Sequence, residues 1–285
     1  MNTPIESLLP GVNVLLEGPA GTGKTYSLGT LVETGVEVFG IFTESGLETL
    51  TGYWTDRKLE VPPNLHWHMI KRKSGGFEAL IRGAESVNTS SYESLAKMND
   101  PKRIEHNEFV NLLRALSDFP DDRTGSKFGP VDQWGPNRAI FIDSLSGMNS
   151  IVMSLVVGNK PMKSMADWGL AQDQLEKLLR QLSDGCKCHF ILIAHVERET
   201  DQVFGGVKVT VSTLGKALAP KIPPMFSDVV LAVREGAKFS WSTANPLADL
   251  KTRNLPIADG LPPSFKPILD KWKSRGGAFS TTVKS

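Results

Sequence analysis

Three features of the chain predict an α/β architecture, with a mainly parallel twisted sheet flanked by helices. Short apolar runs recur at Val12 to Leu16, Val36 to Phe42, Ala139 to Ile142 and His189 to Ala194, each followed by a polar residue. Helical periodicity lies between them: Trp168, Ala171, Leu175, Leu178, Leu179 and Leu182 share one helix face. A glycine-rich octapeptide separates the first run from the helical pattern after it. Strands alternating with helices in this way build parallel sheets with right-handed crossovers.

Taken in order, Val12 to Leu16 is the first strand and Lys24 to Val32 the first helix. Val36 to Phe42 is a buried strand closed by Thr43 and Glu44, and Leu65 to Ile70 a third strand. Phe77 to Ala84 and Phe109 to Leu116 are helical. Phe119 to Asn137, rich in Pro, Gly and Asp, is expected to be a surface loop or insertion. Ala139 to Ile142 is a strand ending at Asp143, and His189 to Ala194 is the next. Val203-Phe204 and Val207 to Val211 flank Gly205-Gly206 as a β-hairpin. Val229 to Val233 and Phe239 to Ser242 are closing antiparallel strands. No linker interrupts this pattern, so residues 1–266 read as one domain and residues 267–285 as a C-terminal helix and tail.

The chain has 285 residues, 40% hydrophobic and 22% charged, the composition of a globular protein. No apolar run approaches the ~20 residues of a membrane span, and Met1 to Pro10 lacks the pattern of a secretory signal. Cys186 and Cys188 cannot form a disulfide framework, which predicts a reducing, cytoplasmic setting. A net charge of +1 argues against a surface that is basic throughout. Contact with nucleic acid then needs a local patch or many assembled subunits.

Gly18-Pro19-Ala20-Gly21-Thr22-Gly23-Lys24-Thr25 matches G-x-x-x-x-G-K-[ST] at every fixed position, between a strand and a helix. The glycines let backbone N–H groups turn inward around phosphate oxygens. Lys24 is expected on the β- and γ-phosphates and the Thr25 hydroxyl on Mg²⁺. The expected nucleotide-contacting set is Gly18, Pro19, Ala20, Gly21, Thr22, Gly23, Lys24, Thr25 and Tyr26, with ATP and Mg²⁺ as cofactors.

Such a loop needs a carboxylate at a neighbouring strand end to hold the metal shell. Asp143 has that position, although a strand-ending Asp is also a common helix cap. Ser144 follows it, so a second acid must come from elsewhere. Glu44 ends the strand after the first helix and is the candidate general base; Glu48 is its rival.

The phosphate loop, Glu44, Ile142-Asp143-Ser144 and Ile193-Ala194-His195 occur in an order that resembles the RecA-like ATPases. It resembles more closely the phage-encoded RecA-core ATPases of the AAA_24 type, a group that includes single-strand-annealing and recombination factors. Leu214 to Ala219, Ile222 to Val230 and Leu250 to Arg253 carry the closer likeness, which spans about Val12 to Pro256. The resemblance implies an ATPase acting on single-stranded DNA in phage recombination, annealing or replication, in the host cytoplasm, with no membrane partner. It implies that His195 senses the γ-phosphate, and that Lys251 and Arg253 reach a neighbouring copy's γ-phosphate in a homo-oligomer. A single-strand-binding protein is a further implied partner, and the loops after Asp143 and His195 correspond to DNA-facing loops. A helicase or packaging motor, or a nucleotide-dependent scaffold with little turnover, stands beside this reading. The chain departs from RecA in having almost nothing before its first strand and no accessory DNA-binding domain.

Weaker signals are Lys71-Arg72-Lys73 before Ser74-Gly75-Gly76, Lys160 with Lys163 in the loop after Asp143, and Phe204 with Lys208 on the hairpin. On a strand, Lys251 and Arg253 would point to one face. Cys186, Cys188 and His189, with His66 and His68, fall short of structural zinc spacing.

Overall fold

Val14 to Glu17 are buried on both sides, as an internal parallel strand requires, and they form β1 (Asn13–Glu17) in the interior of the sheet. The computed structural model describes residues 9–71, 76–200 and 206–279. After β1 come α1 (Lys24–Ser27) and α2 (Gly29–Val32), two short helices interrupted at Leu28 rather than the single helix expected. Then follow β2 (Glu37–Phe42), α3 (Leu47–Thr55), β3 (Leu65–Met69), α4 (Gly76–Thr89), α5 (Tyr92–Lys97) and α6 (Glu108–Ser117). The second half holds β4 (Arg138–Asp143), α7 (Leu145–Val157), α8 (Met165–Asp184), β5 (His189–Ala194), β6 (Val196–Thr200) and β7 (Val207–Val211). It closes with β8 (Asp228–Glu235), β9 (Lys238–Ser242) and α9 (Lys266–Ser274).

Seven strands form one sheet in the order β3-β2-β4-β5-β1-β8-β9, parallel except for β9, which returns antiparallel to β8. The α/β class, the flanked parallel sheet and the antiparallel closure are therefore as the sequence predicts. Residue alternation divides the core. Leu15, Ile41, Ile140, Leu192 and Val229 face α6, α7 and α8. Val14, Leu16, Val38, Phe141 and Val230 face the side of α1, α2, α3 and α9. In α9, Ile268, Leu269 and Trp272 are buried in that second layer, and the Trp272 indole donates to the Pro10 carbonyl at 2.8 Å.

Residues 119–137 form a loop that is exposed at 122–127 and 132–133, as expected, but is anchored in the core at three points. Phe119, Val131 and Trp134 are buried in the core, and the polar residues between them seal the sheet margin at β3. The Asp122 N–H donates to the Trp67 carbonyl at 2.8 Å. Asp121 and Asp122 carboxylates accept from the Trp67 and Met69 N–H groups at 3.2 and 2.9 Å. Arg123 caps the carbonyls of Val61, Pro62 and Leu65. At the other margin, Trp241 of β9 exchanges two backbone hydrogen bonds with Leu261.

The hairpin is β6 paired with β7, Thr200 opposite Val207. Its first strand begins one residue after His195, earlier than expected. Val203, Phe204 and Gly205 lie outside the described residues, as do Arg72, Lys73, Ser74 and Gly75. Lys160 and Lys163 are not in a loop next to Asp143, because the 13 residues of α7 intervene. Lys160 instead pairs with Asp167 at 3.0 Å, beside the Ser164 capping box of α8.

Candidate active site

The C-terminal ends of the parallel strands meet at one edge, where β1 turns into the glycine-rich loop. Gly18 (φ +153°), Gly21 (φ +73°) and Gly23 (φ +78°) have positive φ, and a Cβ on Gly18 would stand 2.6 Å from the Ala232 carbonyl. Only glycine fits that approach. The buried Lys24 ammonium reaches back to donate to the Gly18 and Pro19 carbonyls, both at 2.7 Å. Burial pushes it down to about 8, partly offset by the charge of Asp143. The Thr22 hydroxyl donates to the Pro19 carbonyl at 2.8 Å, closing the loop on itself.

β5 alone separates β1 from β4, so Asp143 ends within reach of the loop. The Thr25 hydroxyl donates to Asp143 Oδ2 at 2.6 Å. Burial pushes Asp143 up to about 6; the Thr25 hydrogen bond opposes this and the charge of Glu44 adds to it. Ser144 donates its hydroxyl to Glu44 Oε2 at 2.6 Å. Thr43 fixes Ser144 in turn, its hydroxyl donating to the Ser144 carbonyl and accepting from the Ser144 N–H. Glu44 thereby stands over the same edge as Asp143, whereas Glu48 lies in the first turn of α3 and is exposed. His195, next after β5, is half-buried. Burial and the Lys24 charge hold its imidazole below the ordinary value, with Glu44 and the Gly18 backbone acting the other way. Lys24, Thr25, Asp143, Glu44 and His195 are therefore neighbours. The Tyr26 ring packs on Tyr53, with centroids 5.1 Å apart.

Lys251 and Arg253 are elsewhere. Lys251 makes a single bridge to Val229, near the start of β8, and its ammonium donates to the Pro224 carbonyl at 3.1 Å. Val229 stands level with Leu15, three residues before Gly18, about 10 Å along a strand. The two cations do not alternate on a strand as expected. The chain bends after Lys251 because buried Asp228 gathers the Thr252 hydroxyl and the Arg253 and Asn254 N–H groups at 2.9 to 3.0 Å. Lys208 pairs with Asp249 at 2.9 Å. His66 bonds Asp121 and His68 bonds Asp122. His189 is buried, its Nδ1 accepting from the Val12 N–H.

Sequence reasoning assigned no role at this edge to four residues. Thr43 and Ser144 position Glu44. Arg234 and Phe239, from β8 and β9, lie against the loop at Gly21 and Gly23. Thr43 and Ser144 stand next to Glu44 and Asp143 in the chain and were visible there; Arg234 and Phe239 required the register of β9 on β8.

A protein-family model described as an AAA domain, AAA_24, matches residues 11–253. No curated protein matches. Among solved structures, the flagellar accessory protein FlaH from Methanocaldococcus jannaschii is 12% identical, covering 82% of this chain and 77% of that one, with a TM-score of 0.33. A prototypical ATPase from the type III secretion system of pathogenic bacteria is also 12% identical. It covers 88% of this chain and 63% of that one, with a TM-score of 0.39. Among the described residues, no helix is long and apolar enough to cross a membrane.

Proposed function

The chain belongs to the AAA_24 family of AAA domains, and from that premise we propose that it binds ATP and hydrolyses it with Mg²⁺. The observation that carries this reading is the 2.6 Å hydrogen bond from Thr25 to Asp143, which joins the phosphate loop to the strand-end acid across β5. A hydroxyl and a carboxylate oxygen at one partly buried edge are hard donors. They suit Mg²⁺, which takes one or two carboxylates together with phosphate oxygens. Thr25 and Asp143 would hold the ion, which when bound draws negative charge off the phosphate oxygens. Lys24 exchanges its two loop carbonyls for β- and γ-phosphate oxygens. Glu44, steadied by the Ser144 hydroxyl, orients the attacking water and accepts its proton. His195 stands where the γ-phosphate end of the site meets the start of the hairpin.

The finer reading is an ATPase of phage recombination, annealing or replication that acts on single-stranded DNA. It is supported by the motif order and by the hairpin beginning one residue after His195. In an assembly of copies, Lys251 and Arg253 serve the neighbour's site; their distance from their own loop supports this. The test is single-turnover ATP hydrolysis by the wild type and Lys24→Ala, with and without single-stranded DNA. The expected outcome is DNA-stimulated turnover that Lys24→Ala abolishes. Turnover unchanged in that variant overturns the nucleotide reading, and turnover indifferent to DNA overturns the finer one.

A further inference from the structure

The sheet order gives the phosphate loop two unlike flanks. On the side of β5 and β4 stand His195, Asp143 and Glu44. On the side of β8 and β9 stand Arg234 and Phe239, which pair across the two strands and so share one face. That face is the α1 face, since Ala232 and Trp241, two positions along, belong to its core layer. The Phe239 ring lies against the loop: a Cβ on Gly23 would meet its Cδ1 at 3.1 Å. The Arg234 guanidinium sits 5.3 Å from the centre of the Phe239 ring and 3.8 Å from where a Gly21 Cβ would be. Phe239 nonetheless leaves 41% of its surface exposed. An aromatic ring and a cation are thus open to solvent at the outer rim of a phosphate cradle.

We propose that Phe239 and Arg234 form the nucleoside end of the site. Phe239 stacks on the base, and Arg234 bonds the α-phosphate. This rests on the nucleotide reading above. With its terminal phosphate at Asp143 and Glu44, a triphosphate threaded through the loop leaves it on the opposite flank, toward these two side chains. The ring has no hydrogen-bonding group with which to read a base edge. It takes the π-face of a base, most area being offered by a purine, so ATP and GTP bind alike.

Calorimetric binding of non-hydrolysable ATP and GTP analogues and of inorganic triphosphate, to the wild type, Phe239→Ala and Phe239→Trp, tests this. Base stacking lost to alanine weakens binding by about 5- to 150-fold. Phe239→Ala should lose that much for both nucleotides and nothing for triphosphate, and Phe239→Trp should restore nucleotide affinity. Unchanged nucleotide affinity in Phe239→Ala overturns the subsite and leaves the phosphate site standing. An equal loss for triphosphate also overturns it, since the ring would then only support the loop. A wild type that binds neither nucleotide nor triphosphate overturns the nucleotide reading itself.

Discussion

Glu17, the last residue of β1, should make stability depend on pH in a direction unusual for a carboxyl group. It is 2% exposed and borders a cavity of about 220 Å³ shared with Asp249 and Lys208. Burial, reinforced by the Asp249 charge, pushes its carboxyl from 4.5 up to about 8. In the unfolded chain the proton leaves near the ordinary value. Between the two values the native state holds a proton that the unfolded state has lost. Stability from this group is therefore full below about pH 4.5, falls as pH rises, and levels off above about pH 8. The shift sets a ceiling of about 5 kcal/mol, and water in the adjoining cavity reduces it, so about 2–4 kcal/mol is expected. Glu17→Gln keeps the shape of the protonated group and removes the titration. In urea unfolding, the variant should match the wild type near pH 5 and exceed it by about 2–4 kcal/mol near pH 8.5. A difference that stays flat with pH, or shrinks as pH rises, refutes the reasoning.

Glu44→Gln should bind ATP normally and hydrolyse it about 10²- to 10⁴-fold more slowly, by single-turnover kinetics. Full activity there, with Glu48→Gln dead, would identify the rival acid. Arg253→Ala should bind ATP yet turn it over poorly, and mixing it with Lys24→Ala should restore part of the rate. A specific activity flat across dilution, with no rescue on mixing, would count against action between copies. Asp121→Ala strips the acceptor from His66, from the Trp67 and Arg123 N–H groups and from Thr124. It should cost about 3–5 kcal/mol in chemical denaturation, and a loss below about 1 kcal/mol would show that the margin is held by other contacts.

What could be read in the sequence was local. The phosphate loop, the strand before it and the acids at the ends of β2 and β4 are each set by a few adjacent residues. Long-range pairing was not readable: nothing local says that β5 lies between β1 and β4, or that Phe239 stands opposite Arg234. Helix α7 escaped because Leu145, Met148, Ile151, Val152, Met153 and Val156 bury most of its circumference, which erases the periodicity that marks an amphipathic helix. Residues 119–137 misled through composition. Asp122 and Arg123 are exposed as their type suggests, yet with buried Asp121 they also bond the backbone at β3, while Phe119, Val131 and Trp134 anchor the loop in the core. At Lys251 and Arg253, alternation suggested a strand, but the Asp228 carboxylate bends the chain after one bridging residue.

The covered margins of the sheet decide how copies of this protein can meet. With β3 capped by residues 119–137 and Trp241 of β9 bonded to Leu261, the edges present little open backbone ladder on which another chain could template. Strand addition accepts almost any sequence, because main chain recognises main chain. Recognition through side chains does not, and a single substitution can abolish it. Contact between copies is thereby left to side chains, and under the action between copies proposed above a change as small as Arg253→Ala would separate a subunit's own chemistry from what it lends a neighbour.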